Sequence, residues 1–496
     1  MMRAVLAGVA VVLAAAGCAV GPNFRTPAAP AVDGYVAEAL PAKTASTGAS
    51  GGAAQSFQFG RDLPGEWWAL FGSSKLDALI KEAMANYPSI AAQQAALRAA
   101  REDARAGRGV FLPKAQGMLG GQRAQVSGAS IAPGFPGFIT NVFQANVGVS
   151  YTFDLFGGER RELERLKAQV EQQNFLLEGS YLTLTANVAS TAVQLASVRE
   201  QIAVTREIIS LEQKQLDLIQ RQYAIGIRTQ ADVLQQQSNL ASVRASLPSL
   251  QQQRSAAAHA LAVLSGQLPH DALPVEIDLA NLKLPENVPV SLPSTLVAQR
   301  PDIRAQEALM HEASAAVGVA TANMLPQLTL NGSAGGESLS FSNLLTPGAG
   351  VWNLSAGLTQ PIFAGGALNA KRRAAVAAFD QAAALYRLTV LNAFQNVADT
   401  LTALDNDAQA LKAQSDAVGA ARASLDLIKR QYDAGAVNYV SLLAAQQIYQ
   451  QSRIAYVRAV ASRYTDTITL FQALGGGWWN RNDAGTLRAA PSGSRH

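Results

Sequence analysis

The feature that most constrains this chain is that its second half repeats its first. Gln222-Tyr223-Ala224-Ile225-Gly226 recurs as Gln431-Tyr432-Asp433-Ala434-Gly435, an offset of 209 residues. Upstream, Tyr181, Val188, Leu195, Ile202, Ile209, Leu216 and Tyr223 stand seven apart. The same offset carries them onto Val390, Val397, Leu404, Leu411, Val418, Leu425 and Tyr432, apolar or Tyr at every position. A second row, Leu177, Leu184, Thr191 and Val198, interleaves with the first at steps of three and four, the seam of a supercoiled helix pair. Further upstream the offset is 213, pairing Leu112-Pro113 with Leu325-Pro326 and Pro88 with Pro301. Each half is therefore one copy of a single structural unit.

The seam predicts a helix from residue 159 to about 223, roughly 100 Å long at 1.5 Å per residue. Gly226 and Gly435 break the pattern, and a second helix follows each, over about 229–264 and 438–474. Glycine suits a helix C-terminus because it enters the left-handed conformation without a Cβ clash. Each unit thus reads as a long antiparallel helical hairpin with its tip at Gly226 or Gly435. Composition agrees: 49% of residues are hydrophobic but only 6% aromatic and 15% charged, so Ala, Leu and Val carry the burial.

Ahead of each hairpin the period changes to two. Phe143, Ala145, Val147, Val149, Tyr151 and Phe153 alternate with Gln144, Asn146, Gly148, Ser150, Thr152 and Asp154. Trp352, Leu354, Ala356 and Leu358 repeat this against Asn353, Ser355, Gly357 and Thr359. The length and polarity fit transmembrane β-strands, with Phe143, Val147, Tyr151, Trp352 and Leu358 facing lipid. An ordinary two-sided sheet is the alternative. Partner strands are fainter: 327–335 alternates and 115–125 barely does. Four strands cannot close a barrel, and open edges in lipid leave backbone groups unpaired. A transmembrane reading therefore requires several chains, two copies giving eight strands and three giving twelve.

The N-terminus carries an address. Met1-Met2-Arg3 precedes an apolar run to Ala16, too short for a stable membrane helix, and then Gly17-Cys18. Ala15, Ala16 and Gly17 before Cys18 read as a lipoprotein cleavage box, with ordinary cleavage after Ala16 as the alternative. Cys18 is the only cysteine, so no intramolecular disulfide forms. Acyl chains on Cys18 are the only covalent group expected. Ala19, in place of an Asp that would favour inner-membrane retention, fits the outer membrane. No other stretch reads as a membrane helix.

Several function classes are excluded. A net charge of +4, with Lys371-Arg372-Arg373 the only basic triplet, argues against a nucleic-acid partner. His259, His270, His311 and His496 are scattered, so no metal site is expected. No nucleophile elbow, phosphate loop or dinucleotide fingerprint is present, so no catalytic residues and no enzyme are expected.

Five segments in order carry a family resemblance: Cys18-Ala19-Val20-Gly21-Pro22-Asn23-Phe24; Trp67-Trp68 with Leu76-Asp77-Ala78-Leu79-Ile80; Arg300-Pro301-Asp302-Ile303-Arg304; Gln431 to Gly435 with Asn438-Tyr439; and Ala473 to Trp478. With these the chain resembles the outer-membrane factor family of efflux and secretion systems, TolC-like and closest to the OprM-like lipoprotein branch. The resemblance implies a mainly α fold with a transmembrane β part: a homotrimer whose twelve-strand β-barrel continues as an α-helical barrel. It implies an exit duct for small hydrophobic or amphipathic compounds, with a periplasmic adaptor and an inner-membrane transporter as partners, set in outer-membrane lipid. Protein secretion and a lipid-anchored coiled-coil scaffold are the alternatives. It also implies a gate just past the second tip, at Val440 and Ala444, where relatives commonly place a hydrophobic residue and an Asp. Asp232 is expected to supply the matching carboxylate in the first repeat, with a helix N-terminal role as the alternative. Tyr223 and Tyr432 are expected to pack between helices.

The organisation that follows is a signal peptide over 1–17 and a lipidated extension over 18–65. The first repeat spans 66–266, with strands in about 115–154 and the hairpin in about 159–264. A linker spans 267–293, and the second repeat 294–475, with strands in about 327–362 and the hairpin in about 366–474. A tail over 476–496 ends the chain.

Overall fold

A computed structural model describes residues 19–38, 40–130, 133–134, 136–271 and 277–481. Cys18, the signal segment and most of the tail lie outside the described residues.

The duplication is literal in the element order. Helices α1 (Ser74–Asn86) and α2 (Pro88–Arg108) lead into strands, as do α5 (Pro293–Gln299) and α6 (Pro301–Ala322). Two long helices, α3 (Gly158–Ala224) and α7 (Ala367–Asp433), have 67 residues each. Their return helices, α4 (Gln230–Leu264) and α8 (Tyr439–Ala473), have 35 each. Both pairs start 209 residues apart. The heptad residues Val188, Leu195, Ile202 and Leu216, with Val397, Leu404 and Leu411, are buried.

Six strands are present among the described residues: β1 (Ser56–Phe59), β2 (Lys114–Val126), β3 (Phe138–Phe153), β4 (Asn287–Val290), β5 (Gln327–Ser338) and β6 (Gly350–Thr359). Strands β2, β3, β5 and β6 form one antiparallel sheet in that order, with β2 and β6 as its edges. The two hairpins share one register. Lys114 faces Ser150 in the first, and their repeat equivalents Gln327 and Thr359 face each other in the second.

The chain divides into two compact units. The first holds the four-stranded sheet, residues 19–27 and the flanking parts of the long helices. The second holds the remaining helices, the parallel β1–β4 ladder and an aromatic core in which Trp67 and Phe71 pack on Phe471, at 5.7 and 6.2 Å between ring centres. There Arg463 is fully buried and donates to Gln55 Oε1 at 2.9 Å, Thr44 Oγ1 at 3.3 Å and Gly51 O at 3.2 Å. These bonds fasten residues 44–55 to α8.

Two expectations need correction. Strand β2, barely visible in sequence, is a full thirteen-residue strand; Gly117, Gly120 and Gly121 blur its alternation, and its pairing with β3 supplies what its own side chains do not. By length and composition, α7 is apolar enough to cross a membrane, although no such helix was expected. Its apolar character comes from small alanines and from Leu385, Leu388 and Leu391, which are exposed in the single chain.

Candidate functional site

Two regions carry the residues singled out from sequence. The first is the sheet. Residues opposite one another on neighbouring strands share a face, so the register assigns every side chain. One face carries Ala115, Leu119, Phe143, Ala145, Val147, Val149, Tyr151 and Phe153, then Leu328, Leu330, Ala334, Trp352, Leu354, Ala356 and Leu358, with glycines among them; beyond Phe143, toward the loop end, it turns polar at Arg123, Gln125, Asn141 and Ser338. The other carries Gln116, Gln122, Gln144, Asn146, Ser150, Thr152, Thr329, Asn331, Ser333, Asn353, Ser355 and Thr359, with Met118, Ala124, Val142 and Val351 among them. Phe143, Val147, Tyr151, Trp352 and Leu358 thus lie together on the apolar face.

Aromatic pairs mark both ends of that face. Phe143 meets Phe341 edge-on at 5.9 Å, and Tyr151 meets Phe153 at 4.9 Å. From Phe143 to Phe153 the strand rises about 34 Å at 3.4 Å per residue. Tilted by about 40°, that is roughly 26 Å of height, the size of the apolar band on an outer-membrane barrel.

The second region is the pair of hairpin tips. After α3, Gly226 takes φ 79°, its N–H bonds Tyr223 O at 2.9 Å and the Ile227 N–H bonds Gln222 O at 2.9 Å. After α7, Gly435 takes φ 72°, with matching bonds to Tyr432 O and Gln431 O. Both tips are the same glycine-dependent helix cap. Each return helix starts on a side-chain cap: Thr229 accepts from Asp232 N at 3.2 Å, and Asn438 accepts from Ser441 N at 2.9 Å.

Asp232 is the reciprocal partner in its cap, accepting from Thr229 N and Thr229 Oγ1, each at 3.0 Å. Its expected correspondence with Ala444 fails. At the offset of 209, Asp232 pairs with Ser441, and Ala444 pairs with Gln235. Its carboxylate is engaged in starting α4.

Val440 (65% exposed) and Ala444 both point away from the chain's own packing, one helical turn apart. Tyr432 (8% exposed) packs with Tyr439, Ile219, Leu442 and Leu443, and Arg228 covers its ring at 4.6 Å from the centre. Tyr223 does not pack this way: it is 46% exposed. At the offset of 209 Tyr439 and Arg228 correspond to Gln230 and Val437, so neither the second ring nor the covering guanidinium recurs around it.

Sequence reasoning missed a polar network just behind the tips. Glu212 on α3 is fully buried, and its carboxylate accepts from Gln236 Nε2 at 2.7 Å, Asn239 Nδ2 at 2.9 Å and Gln450 Nε2 at 2.7 Å. Tyr439 donates its hydroxyl to Gln236 Oε1, and Gln447 donates to Asn239 Oδ1 at 3.1 Å. Burial, then the Glu212 charge, pushes the Tyr439 hydroxyl well above its ordinary pKa, so it remains a neutral donor. The network ties α3 and α4 to α8 at one level. Its only sequence signal is a run of Glu and Gln that looks like any solvated helix face.

Next to Cys18, residues 20–24 are clamped. Arg161 donates to Val20 O at 3.0 Å and to Asn23 Oδ1 at 2.6 Å. Gly21 lies so close to Gly318 that a Cβ on it would sit 2.5 Å from the Gly318 Cα. Phe24 stacks on His311 at 4.5 Å.

Comparisons with known proteins agree with this geometry. The family model described as outer membrane efflux protein matches residues 79–267 and 292–476, one match per repeat. The chain is 33% identical over 423 residues to the pyoverdine export outer membrane protein OpmQ of Pseudomonas aeruginosa, covering 83% of this chain and 87% of that one. It is 27% identical over 477 residues to the toluene efflux pump outer membrane protein TtgC of Pseudomonas putida, covering 96% of each. Among solved structures, the outer-membrane channel OprN aligns with a TM-score of 0.82 at 25% identity, over 93% of this chain and all of that one.

Proposed function

The chain belongs to the outer membrane efflux protein family, and from that premise we propose that it is the exit duct of a tripartite pump in the bacterial outer membrane. The observation that carries this reading is the sheet. It has one face that is apolar from Phe143 to Phe153 and across to Trp352–Leu358, one mainly polar face and two unpaired edges. Unpaired edges are not tolerated in lipid, so the sheet must close with copies of itself. Three chains give a barrel of twelve strands, lined by the polar face, and the long helices continue it as an α-helical tube. The exposed leucines of α7 are then covered by a neighbouring chain.

The tips narrow the tube at its periplasmic end. Val440 supplies an apolar constriction and Ala444 leaves the next turn without a carboxylate, so closure rests on packing and dewetting rather than on a charged ring. Acyl chains on Cys18 anchor the chain, and the Arg161 clamp holds the following residues against α3 and α6. An adaptor and an inner-membrane transporter supply compound and energy; the duct performs no bond chemistry. The relatives are named for toluene and for pyoverdine, which supports small molecules rather than secreted proteins as cargo.

The test is accumulation of a fluorescent hydrophobic dye in cells lacking the chain, against cells with it restored. Restoration should lower accumulation only when the transporter is energised. Equal accumulation in both strains refutes the efflux reading.

A further inference from the structure

The connection between β5 and β6 carries large apolar side chains where a loop in water would carry polar ones. From Ser338 to Gly350 no residue is charged, and Leu339, Phe341, Leu344 and Leu345 all fall within it. Leu344 is buried, whereas Leu339, Phe341 and Leu345 are exposed, Leu345 at 91%. Clustered exposed apolar groups of this kind mark a contact surface. The segment is also ordered by its own hydrogen bonds. Asn343 N–H donates to Ser340 O at 3.2 Å, Leu344 N–H to Phe341 O at 3.3 Å, Thr346 N–H to Asn343 O at 3.2 Å and Ala349 N–H to Thr346 O at 3.1 Å. Glu337 N–H closes the loop on Ala349 O at 2.8 Å.

This loop folds back onto the apolar face of the sheet. Phe341 stands edge-on to Phe143, 5.9 Å between ring centres, and Phe143 belongs to that face. Gly336 pairs with Ala145 of the same face, and a Cβ on Gly336 would run into the Leu344 carbonyl oxygen. Glycine at 336 is what lets the loop backbone lie so close. Because Phe143 is on β3, an inner strand, the loop leans over the middle of the sheet, away from the edge β6 where another copy would approach. Beyond Phe143 the same face turns polar, at Asn141 and Arg123. The loop therefore sits at the level where the apolar band ends.

We infer that the β5–β6 loop is an interfacial foot, seated in the outer leaflet of the membrane at the boundary between acyl chains and headgroups. The inference rests on the lipid-facing sheet proposed above and adds a surface to it. Lipid is the occupant because the loop continues the lipid face, carries no charge to hold it in water and turns Leu339, Phe341 and Leu345 outward. Its turns satisfy the Asn343, Leu344, Thr346 and Ala349 N–H groups, and Pro347 has none, which lowers the cost of leaving water. Apolar side chains buried at this boundary keep neighbouring polar groups, here Ser340, Ser342 and Asn343, at the headgroups. A loop held outward in this way does not close over the lumen, so the exit stays open at this hairpin.

Spin-label collision measurements test this. Leu345→Cys, Leu354→Cys and Asn353→Cys are made singly in the full-length chain, labelled with a nitroxide and reconstituted in phosphatidylethanolamine–phosphatidylglycerol vesicles. The unaltered chain gives the background from Cys18. Collision with oxygen, which concentrates in lipid, is compared with collision with a neutral, water-soluble nickel chelate. Labels at Leu345 and Leu354 should show an oxygen-to-nickel ratio several times that of the label at Asn353, on the polar face. A Leu345 label that favours nickel while Leu354 favours oxygen puts the loop in water and overturns this inference alone. A Leu345 label shielded from both quenchers is covered by a second copy, which overturns it as well. If Leu354 also favours nickel, the lipid-facing sheet fails with it.

Discussion

Arginine placed at two adjacent positions of β6 should give opposite results. Leu354 sits mid-strand on the apolar face, 75% exposed, and faces Gly332, which offers no side chain to shield a charge. Asn353, its neighbour, projects from the polar face opposite Ser333. If the apolar face meets lipid, Leu354→Arg near the bilayer midplane costs about 2–4 kcal/mol per chain. Three chains repeat it, for a total of roughly 6–12 kcal/mol, comparable to the whole stability of an ordinary domain at about 5–15 kcal/mol. Asn353→Arg keeps its charge in water and should cost little. The assay is guanidinium unfolding of the protein reconstituted in lipid vesicles, followed by loss of the oligomer. A shared midpoint for the two variants would show that the alternation is not a membrane signal, since their strand and depth are nearly the same.

Other consequences are open to direct measurement. Val440→Ser should raise resting single-channel current, and Ala444→Asp should add divalent-cation block because three carboxylates converge; wild-type behaviour in both removes the gate from these tips. Cys18→Ser should abolish fatty-acid labelling and leave precursor uncleaved or cleaved elsewhere; unchanged mass and processing removes the lipid anchor. Burial, then a hydrogen bond and the charge of Asp466, pushes the Asp407 carboxyl up to about 7, with Arg463 opposing. The folded chain therefore holds that proton more tightly than the unfolded chain, whose Asp titrates near about 3.9. Its stabilising contribution is complete below that value and is lost as pH rises through about 7. Melting at pH 5 and pH 8 should show the loss, and Asp407→Asn should flatten it; an unaltered pH dependence in that variant contradicts the assignment.

The parts of the molecule written in periodic patterns were legible before any coordinates. The heptads from Tyr181 to Tyr223 and from Val390 to Tyr432 set the long helices, and Gly226 and Gly435 set their tips, because burial seams and left-handed caps need particular residue types at particular spacings. The alternation in β3 and β6 was equally plain. Strand β2 was not, since three glycines and Arg123 obscure its alternation and only pairing with β3 defines it. Asp232 was legible as an acid but not as a cap, because the reciprocal bonds to Thr229 appear only once the helix start is placed. Glu212 was invisible: an acidic residue among glutamines reads as solvated until three helices close over it. Tyr223 and Tyr432 show the limit of a repeat argument, since identical heptad positions are exposed in one tip and buried in the other by Tyr439 and Arg228, whose repeat equivalents are Gln230 and Val437.

The central claim is that copies of this chain enclose a water-filled pore through the outer membrane. Single-channel recording of the wild-type protein in planar bilayers tests it most directly. The account predicts discrete, long-lived ion-conducting steps that appear with the oligomer and are absent from dissociated chains. Oligomers that insert into the bilayer and leave its conductance at baseline, even when Val440→Ser removes the apolar constriction, would contradict it.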